Sequence, residues 1–150
     1  MTGYLLDTSV LWALAAERKS VSQALSDWMT AQGEAETLFI SSVTVAELEK
    51  GISKLRRSGG TARAERLTAW LDVLLSDFGD HILAVDAQVA RIAGAMEDIA
   101  VAHCRHPSLA DILIAATAEA HDLSLLTVNG RHFEPLGITH LDPFSTLLDA

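Results

Sequence analysis

The chain has 150 residues, 49% hydrophobic and 21% charged, with a net charge of −9 and one cysteine, Cys104. That length fits one domain spanning 1–150 with room for a substantial core, and the composition is that of a globular rather than a disordered protein. A lone cysteine excludes an internal disulfide framework and a zinc–cysteine cluster, and the acidic balance speaks against nonspecific coating of nucleic acid.

The amino-terminal "MTGYLLDTS" lacks the basic start of a signal peptide, and no apolar run is long enough to span a bilayer, so a cytoplasmic protein without a membrane partner is expected. Tyr4 to Leu6 is a short apolar run, read as a buried strand ending at Asp7. "TSVLWALAAE" then opens a helix with Thr8 or Ser9 as its cap. Val21 to Ala31 has the pattern of a second helix, and "TLFIS" (Thr37 to Ser41) that of a second strand. Ser42 is placed to cap the next helix, whose apolar positions Val45, Leu48, Ile52 and Leu55 recur at helical spacing until "SGG" breaks it. Ala62 to Phe78 continues as an amphipathic helix and "HILAV" as a third strand. Asp86 opens "DAQVARIAGAMEDIAVAH", and Pro107 helps to start the apolar helix "SLADILIAATAEA". "LSLLTV" (Leu123 to Val128) is a fourth strand, "NGRHF" a turn, and "ITHL" a short fifth strand. Apolar strands alternating with helices indicate an α/β fold, a mainly parallel sheet of four to five strands covered on both faces.

In such sheets ligands bind beyond the carboxyl ends of the strands. Four polar residues gather at that address. Asp7 follows strand one, Glu47 lies about a helical turn after strand two, Asp111 opens the most apolar helix, and Asn129 follows strand four. Each has an ordinary explanation alone. Asp7 could cap a helix, Glu47 could pair with Lys50, and "SLAD" could be a capping box. Asn129–Gly130 could be a plain turn. Gly51, four residues after Glu47, leaves the approach to that carboxylate open. Three carboxylates at one edge would repel and raise each other's pKa unless a cation balanced them. Oxygen ligands without thiolate suit a hard divalent ion, Mg²⁺ with Mn²⁺ as substitute.

Six of the eleven basic residues fall between Lys50 and Arg66. Lys50, Lys54, Arg56 and Arg57 are candidate contacts for phosphate or for an acidic partner; a solvated helix face is the plainer reading. The run "HCRH", His103 to His106, offers three nearby metal ligands without a second set, so a helix end with a buried cysteine is preferred over a zinc site. An aspartyl nucleophile at Asp7 is disfavoured because Ser9 stands where that chemistry needs a second acid. No phosphate-loop or dinucleotide glycine motif occurs.

Taken in order, "YLLDTSVLWAL", "ISSVTVAELEKG", "SLADILIAATAEAHDLSLLTVN" and "HFEPLGITHLDPF" resemble the successive signatures of PIN-domain ribonucleases, and among them the VapC toxins of toxin–antitoxin pairs. The resemblance spans nearly the whole chain and implies a PIN-like three-layer α/β/α fold. It also implies a Mg²⁺-dependent endoribonuclease acting on transfer or ribosomal RNA and leaving 5′-phosphate ends. It maps the family's acids onto Asp7, Glu47 and Asp111, and its fourth site onto Asn129 with Thr127 beside it. Asp7 and Asp111 would hold the metal directly and Glu47 through a water or as base. Asn129, Thr8 and Thr127 would orient water or phosphate. The implied partners are a second copy of the chain and a small VapB-like antitoxin that carries the DNA-binding function. Two departures stand out. Asn129 is neutral where many relatives have aspartate, which weakens any second metal site. His132 stands where relatives often have an acid, and is read as a surface residue of a turn. The alternative reading is a PIN-like module that binds RNA or protein without cutting.

Overall fold

The computed structural model describes residues 3–15 and 21–145. Among these, a five-stranded sheet has the order β3-β2-β1-β4-β5. Its strands are β1 (Tyr4–Leu6), β2 (Leu38–Ser41), β3 (Ile82–Leu83), β4 (Ser124–Leu126) and β5 (His140–Leu141), and every pairing is parallel. Helices α1 (Thr8–Ala15), α2 (Gln23–Glu34), α3 (Ser42–Arg57), α4 (Thr61–Phe78), α5 (Ala87–Ala102), α6 (Leu109–Ala120) and α7 (Gly130–Phe133) connect them.

Each strand is so short that its two central residues decide the layers. Side chains alternate across a strand, so Leu5 and Leu125 face one side while Leu6 and Leu126 face the other. The first side packs on Val89, Ala93, Met96 and Ala100 of α5 and on Ile112, Ala115 and Ala116 of α6. The second packs on Val10 and Leu11 of α1, Leu48 and Ile52 of α3, and Ala64, Leu67 and Leu71 of α4. The result is the expected three-layer α/β/α sandwich. α6 is apolar on nearly all sides because it is buried on nearly all sides, from Ile112 through Ala118.

β1 is the pivot. In register it joins Leu5 to Phe39 on one flank and to Leu125 on the other. Gly3 precedes it where a Cβ would stand only 2.6 Å from the Thr37 carbonyl oxygen, so the approach of β2 needs a residue without a side chain. The chain runs outward through β2 and β3, then returns to the other side of β1 for β4 and β5. The order therefore reverses between β1 and β4, which opens a crevice at their carboxyl ends.

Several boundaries differ from expectation. The second helix runs Gln23–Glu34, because Ser22 caps it by accepting from the Leu25 amide. Ser41, rather than Ser42, caps α3 through the Val43 amide: the last strand residue is extended and leads directly into the helix. Thr8 and Ser9 lie within α1, and the Asp7 carbonyl receives its opening amides, those of Val10 and Leu11. Residues 16–17, expected to continue that helix, lie outside the described residues. The third strand shrinks to two residues because a 3-10 turn, Gly79–His81, precedes it; His81 bonds the Leu38 carbonyl through Nδ1 and stacks on Phe39. "NGRHF" is a short helix rather than a turn, fixed by the fully buried Phe133. Cys104 is exposed, not buried, in a left-handed reversal with φ 58°. No helix among the described residues is long and apolar enough to cross a membrane.

Phe133 anchors the segment that follows β4 to the α5–α6 layer. Phe133→Ala is expected to cost about 3–5 kcal/mol of unfolding free energy in urea titrations. Val73→Ala, on the exposed face of α4, is expected to change stability by less than about 0.5 kcal/mol.

Candidate active site

Asp7 leaves β1 at the crevice and is only 3% exposed. A buried carboxylate needs donors, and it has two on one oxygen: Ser9 Oγ at 2.7 Å and Thr127 Oγ1 at 2.8 Å, both donating to Oδ2. Thr127 directly follows β4, so this contact ties the ends of the two strands at the point where the order reverses. Both hydroxyls also receive backbone amides, Val128 N–H donating to Ser9 Oγ and Asn129 N–H to Thr127 Oγ1. The turn after β4 is thus fixed by the same hydroxyls that hold Asp7. Ser9 was not singled out as a site residue from the sequence; its position two residues after Asp7 was the available signal.

Glu47 comes from the middle of α3. Thr8 Oγ1 donates to its Oε1 at 2.6 Å and stands 3.1 Å from the hydroxyl of the buried Thr44. Lys50, Gly51 and Lys54 follow at spacings of three, four and seven, the same helix face. Gly51 has another role than leaving Glu47 accessible. A Cβ there would lie 2.6 Å from the Trp12 ring, which packs on the bare backbone and stacks on Trp70 with centroids 6.2 Å apart.

Asp111 lies in the first turn of α6, where the Ser108 hydroxyl caps the helix by accepting from the Asp111 amide at 3.2 Å. The capping box seen in the sequence is therefore present on one side only: no contact returns from the Asp111 side chain to the Ser108 amide. The carboxyl instead reaches the crevice, with His132 Nδ1 at 3.4 Å from its Oδ2. Burial, with the nearby charge of Asp7 adding to it, pushes its pKa above the ordinary 3.8 despite the opposing effects of Ser108 and His132. His132 is an exposed residue, as expected, but it faces the site rather than open solvent alone.

These residues border one cavity of about 470 Å³, lined by Asp7, Thr8, Glu47, Lys50, Lys54 and Asp111 together with Ser9, Asn129 and His132. Asn129 is exposed at its rim. Thr127 is buried behind Asp7 and acts on it from there. Of the expected basic contacts, Lys50 and Lys54 line the cavity. Arg56 turns away to Thr68 Oγ1 at 3.1 Å, and Arg57 is exposed outside it. A larger cleft of about 610 Å³, near Glu36, Asp77 and His81, lies where β2 and β3 begin, the wrong end of a parallel sheet for a ligand.

Among the described residues no three acidic, histidine or cysteine side chains close around one point. The donors suit an ion that retains much of its water: Asp7 and Asp111 offer oxygens, and Glu47 is already engaged by Thr8. This is the habit of Mg²⁺ rather than of an ion in a closed protein cage. The charged form of Asp111 is therefore only partly compensated by its neighbours. Between pH 3.8 and its raised pKa the folded state keeps a proton that the unfolded chain releases, so stability falls as pH rises through that window. In EDTA at pH 7, Asp111→Asn is expected to melt at a higher temperature than the unsubstituted protein. The difference should shrink to nothing as the pH is taken below 3.8.

The PIN domain family model matches residues 4–137. The chain is 36% identical over 110 residues to ribonuclease VapC10 of Mycobacterium tuberculosis, a match covering 73% of each chain. It is 31% identical to toxin FitB of Neisseria gonorrhoeae over 73% of this chain and 77% of that one. The crystal structure of FitAcB from Neisseria gonorrhoeae superposes with a TM-score of 0.78 at 28% identity, covering 95% of this chain and 99% of that chain. With a crevice of acids at the reversal of a five-stranded parallel sheet, the chain belongs to the PIN-domain family and, within it, to the VapC type of toxin.

Proposed function

We propose that the protein is a metal-dependent endoribonuclease that hydrolyses phosphodiester bonds of RNA, transfer or ribosomal RNA being the expected targets. The observation that carries this is the pairing of a hydroxyl-held Asp7 with an Asp111 whose charge is disfavoured by burial, across one open cavity edged by lysines. That arrangement asks for a cation and a polyanion together. The ribonuclease and toxin relatives point the same way.

Asp7 and Asp111 would hold Mg²⁺, with Mn²⁺ as substitute. When bound, the ion would polarise a non-bridging phosphate oxygen and increase the acidity of a water. The chain supplies the rest. Ser9 and Thr127 fix the orientation of the Asp7 carboxylate, leaving Oδ1 for the site. Thr8 occupies Glu47 Oε1, so Oε2 is the oxygen that would take the proton from the attacking water. The water oxygen would bond to phosphorus, the bond from phosphorus to the 3′-oxygen would break, and that oxygen would take a proton from solvent water, giving 5′-phosphate and 3′-hydroxyl ends. Lys50 and Lys54, which line the cavity, would meet phosphates of the strand, and Asn129 at the rim would donate to one. A homodimer and a small VapB-like antitoxin, presenting a basic side chain to the acids, complete the reading.

The test is incubation of antitoxin-free protein with total RNA. Discrete fragments are expected with Mg²⁺ or Mn²⁺ and none with EDTA. Asp7→Asn and Asp111→Asn should each lower the rate at least about a hundredfold, with Asp111→Asn still folded by thermal melt. RNA that is bound but stays intact with either ion would reject the nuclease reading in favour of a binding module.

A further inference from the structure

The segment His103 to His106 plays no part in the proposed reaction, yet the fold sets it beside the site. α5 ends at Ala102, the chain reverses through Cys104, and Ser108 begins α6. A second cavity, of about 360 Å³, opens on the far side of Asp111. Arg105, His106 and Pro107 wall it on one side, and Arg131, His132 and Pro135 on the other. It shares Ser108, Asp111 and His132 with the catalytic cavity, so the two are neighbours across those residues.

Its charge is the reverse of the molecule's. The chain carries 20 acids against 11 lysines and arginines. Even so, among the described residues neither Arg105 nor Arg131 has a carboxylate within 4.0 Å, and Asp111, the one acid at this cavity, has His132 as its neighbour. Two guanidinium groups without a carboxylate partner among the described residues thus line one hollow. An anion between them would give both a partner, and the forked donors of arginine match phosphate oxygens. Pro107 and Pro135 have fixed φ, which limits the cost of ordering these walls around a ligand.

We propose that this cavity is a backbone subsite for single-stranded RNA, with Arg105 and Arg131 holding the phosphate next to the one being cleaved. It rests on the nuclease reading of the neighbouring cavity. The strand would pass Lys50 and Lys54, cross Asp7 and Asp111, and continue between the two arginines. An RNA strand is favoured over an acidic peptide because the hollow borders the acids themselves, and a cleaved chain carries phosphates beyond the scissile one.

The experiment uses an Arg105→Ala, Arg131→Ala double variant of the full chain. Both side chains are exposed, so its melting temperature should match that of the parent. Binding of fluorescein-labelled, mixed-sequence single-stranded RNA is followed by anisotropy in an Asp7→Asn background, which prevents cleavage. The double variant should raise Kd about tenfold or more, and the log–log slope against salt should become shallower by about 1.4, two contacts at about 0.7 each. Lysines at both positions should restore most of that slope, and Arg91→Ala, elsewhere on α5, should leave it alone. With Asp7 intact, the double variant should raise KM more than it lowers kcat. Unchanged affinity and slope would overturn the subsite even where the protein cuts RNA normally. Loss of antitoxin binding with RNA binding unchanged would also overturn it, making the cavity a protein-docking surface. Absence of any cleavage by the parent protein would reject the nuclease reading alone, and the anisotropy comparison would still decide the subsite.

Discussion

Everything at the crevice depends on one buried carboxylate and the two hydroxyls that hold it. Asp7 has almost no access to water, so its Oδ2 must find donors inside the protein, and it finds Ser9 from its own helix and Thr127 from a strand 120 residues away in sequence. The same hydroxyls accept the amides of Val128 and Asn129. Satisfying Asp7 therefore also fixes the end of β4, the conformation of the following turn and the direction in which Asn129 and α7 leave the sheet. A substitution at either hydroxyl would act on the acid, the strand junction and the turn together, because they share one hydrogen-bond network.

Around this point the acids are treated differently, and the difference comes from their neighbours. Asp7 is fully buried but bonded. Glu47 is half-buried, with one oxygen taken by Thr8. Asp111 is governed first by burial, which raises its pKa, with Ser108 opposing that rise and the charge of Asp7 adding to it. A site with one acid held firmly, one engaged by a hydroxyl and one poorly compensated is suited to an ion that keeps its own water. The cation would supply what the protein withholds at Asp111.

The net charge of −9 is compatible with an RNA substrate because the cationic groups are placed locally. Lys50 and Lys54 stand on the helix face that also carries Glu47, while Arg56 is used within the fold. Arg105 and Arg131 stand beyond Asp111 at the second cavity. At long range a molecule of this charge and a polyanion repel, and screening at physiological salt weakens that repulsion over distances beyond roughly 8 Å. Contacts made at the crevice itself would then carry the proposed recognition.

The alternation of apolar strands and helices determined the α/β class and the covered parallel sheet, since both follow from local periodicity. The same local logic placed Asp7 and Asn129 just beyond strands, Asp111 at the front of a helix and Ser108 as its cap. The order of the motifs carried the family resemblance. Sequence periodicity did not determine that Ser9 and Thr127 share one oxygen of Asp7, that Gly51 exists to receive Trp12, or that Ser41 caps α3. Nor did it reveal that Cys104 is exposed and that Arg105 and Arg131 line one cavity beside Asp111. Each of these depends on how segments far apart in the chain pack together, or on a choice between adjacent residues of equal propensity. Only the packing of β4 against β1, and of α6 against both, brings those partners within reach.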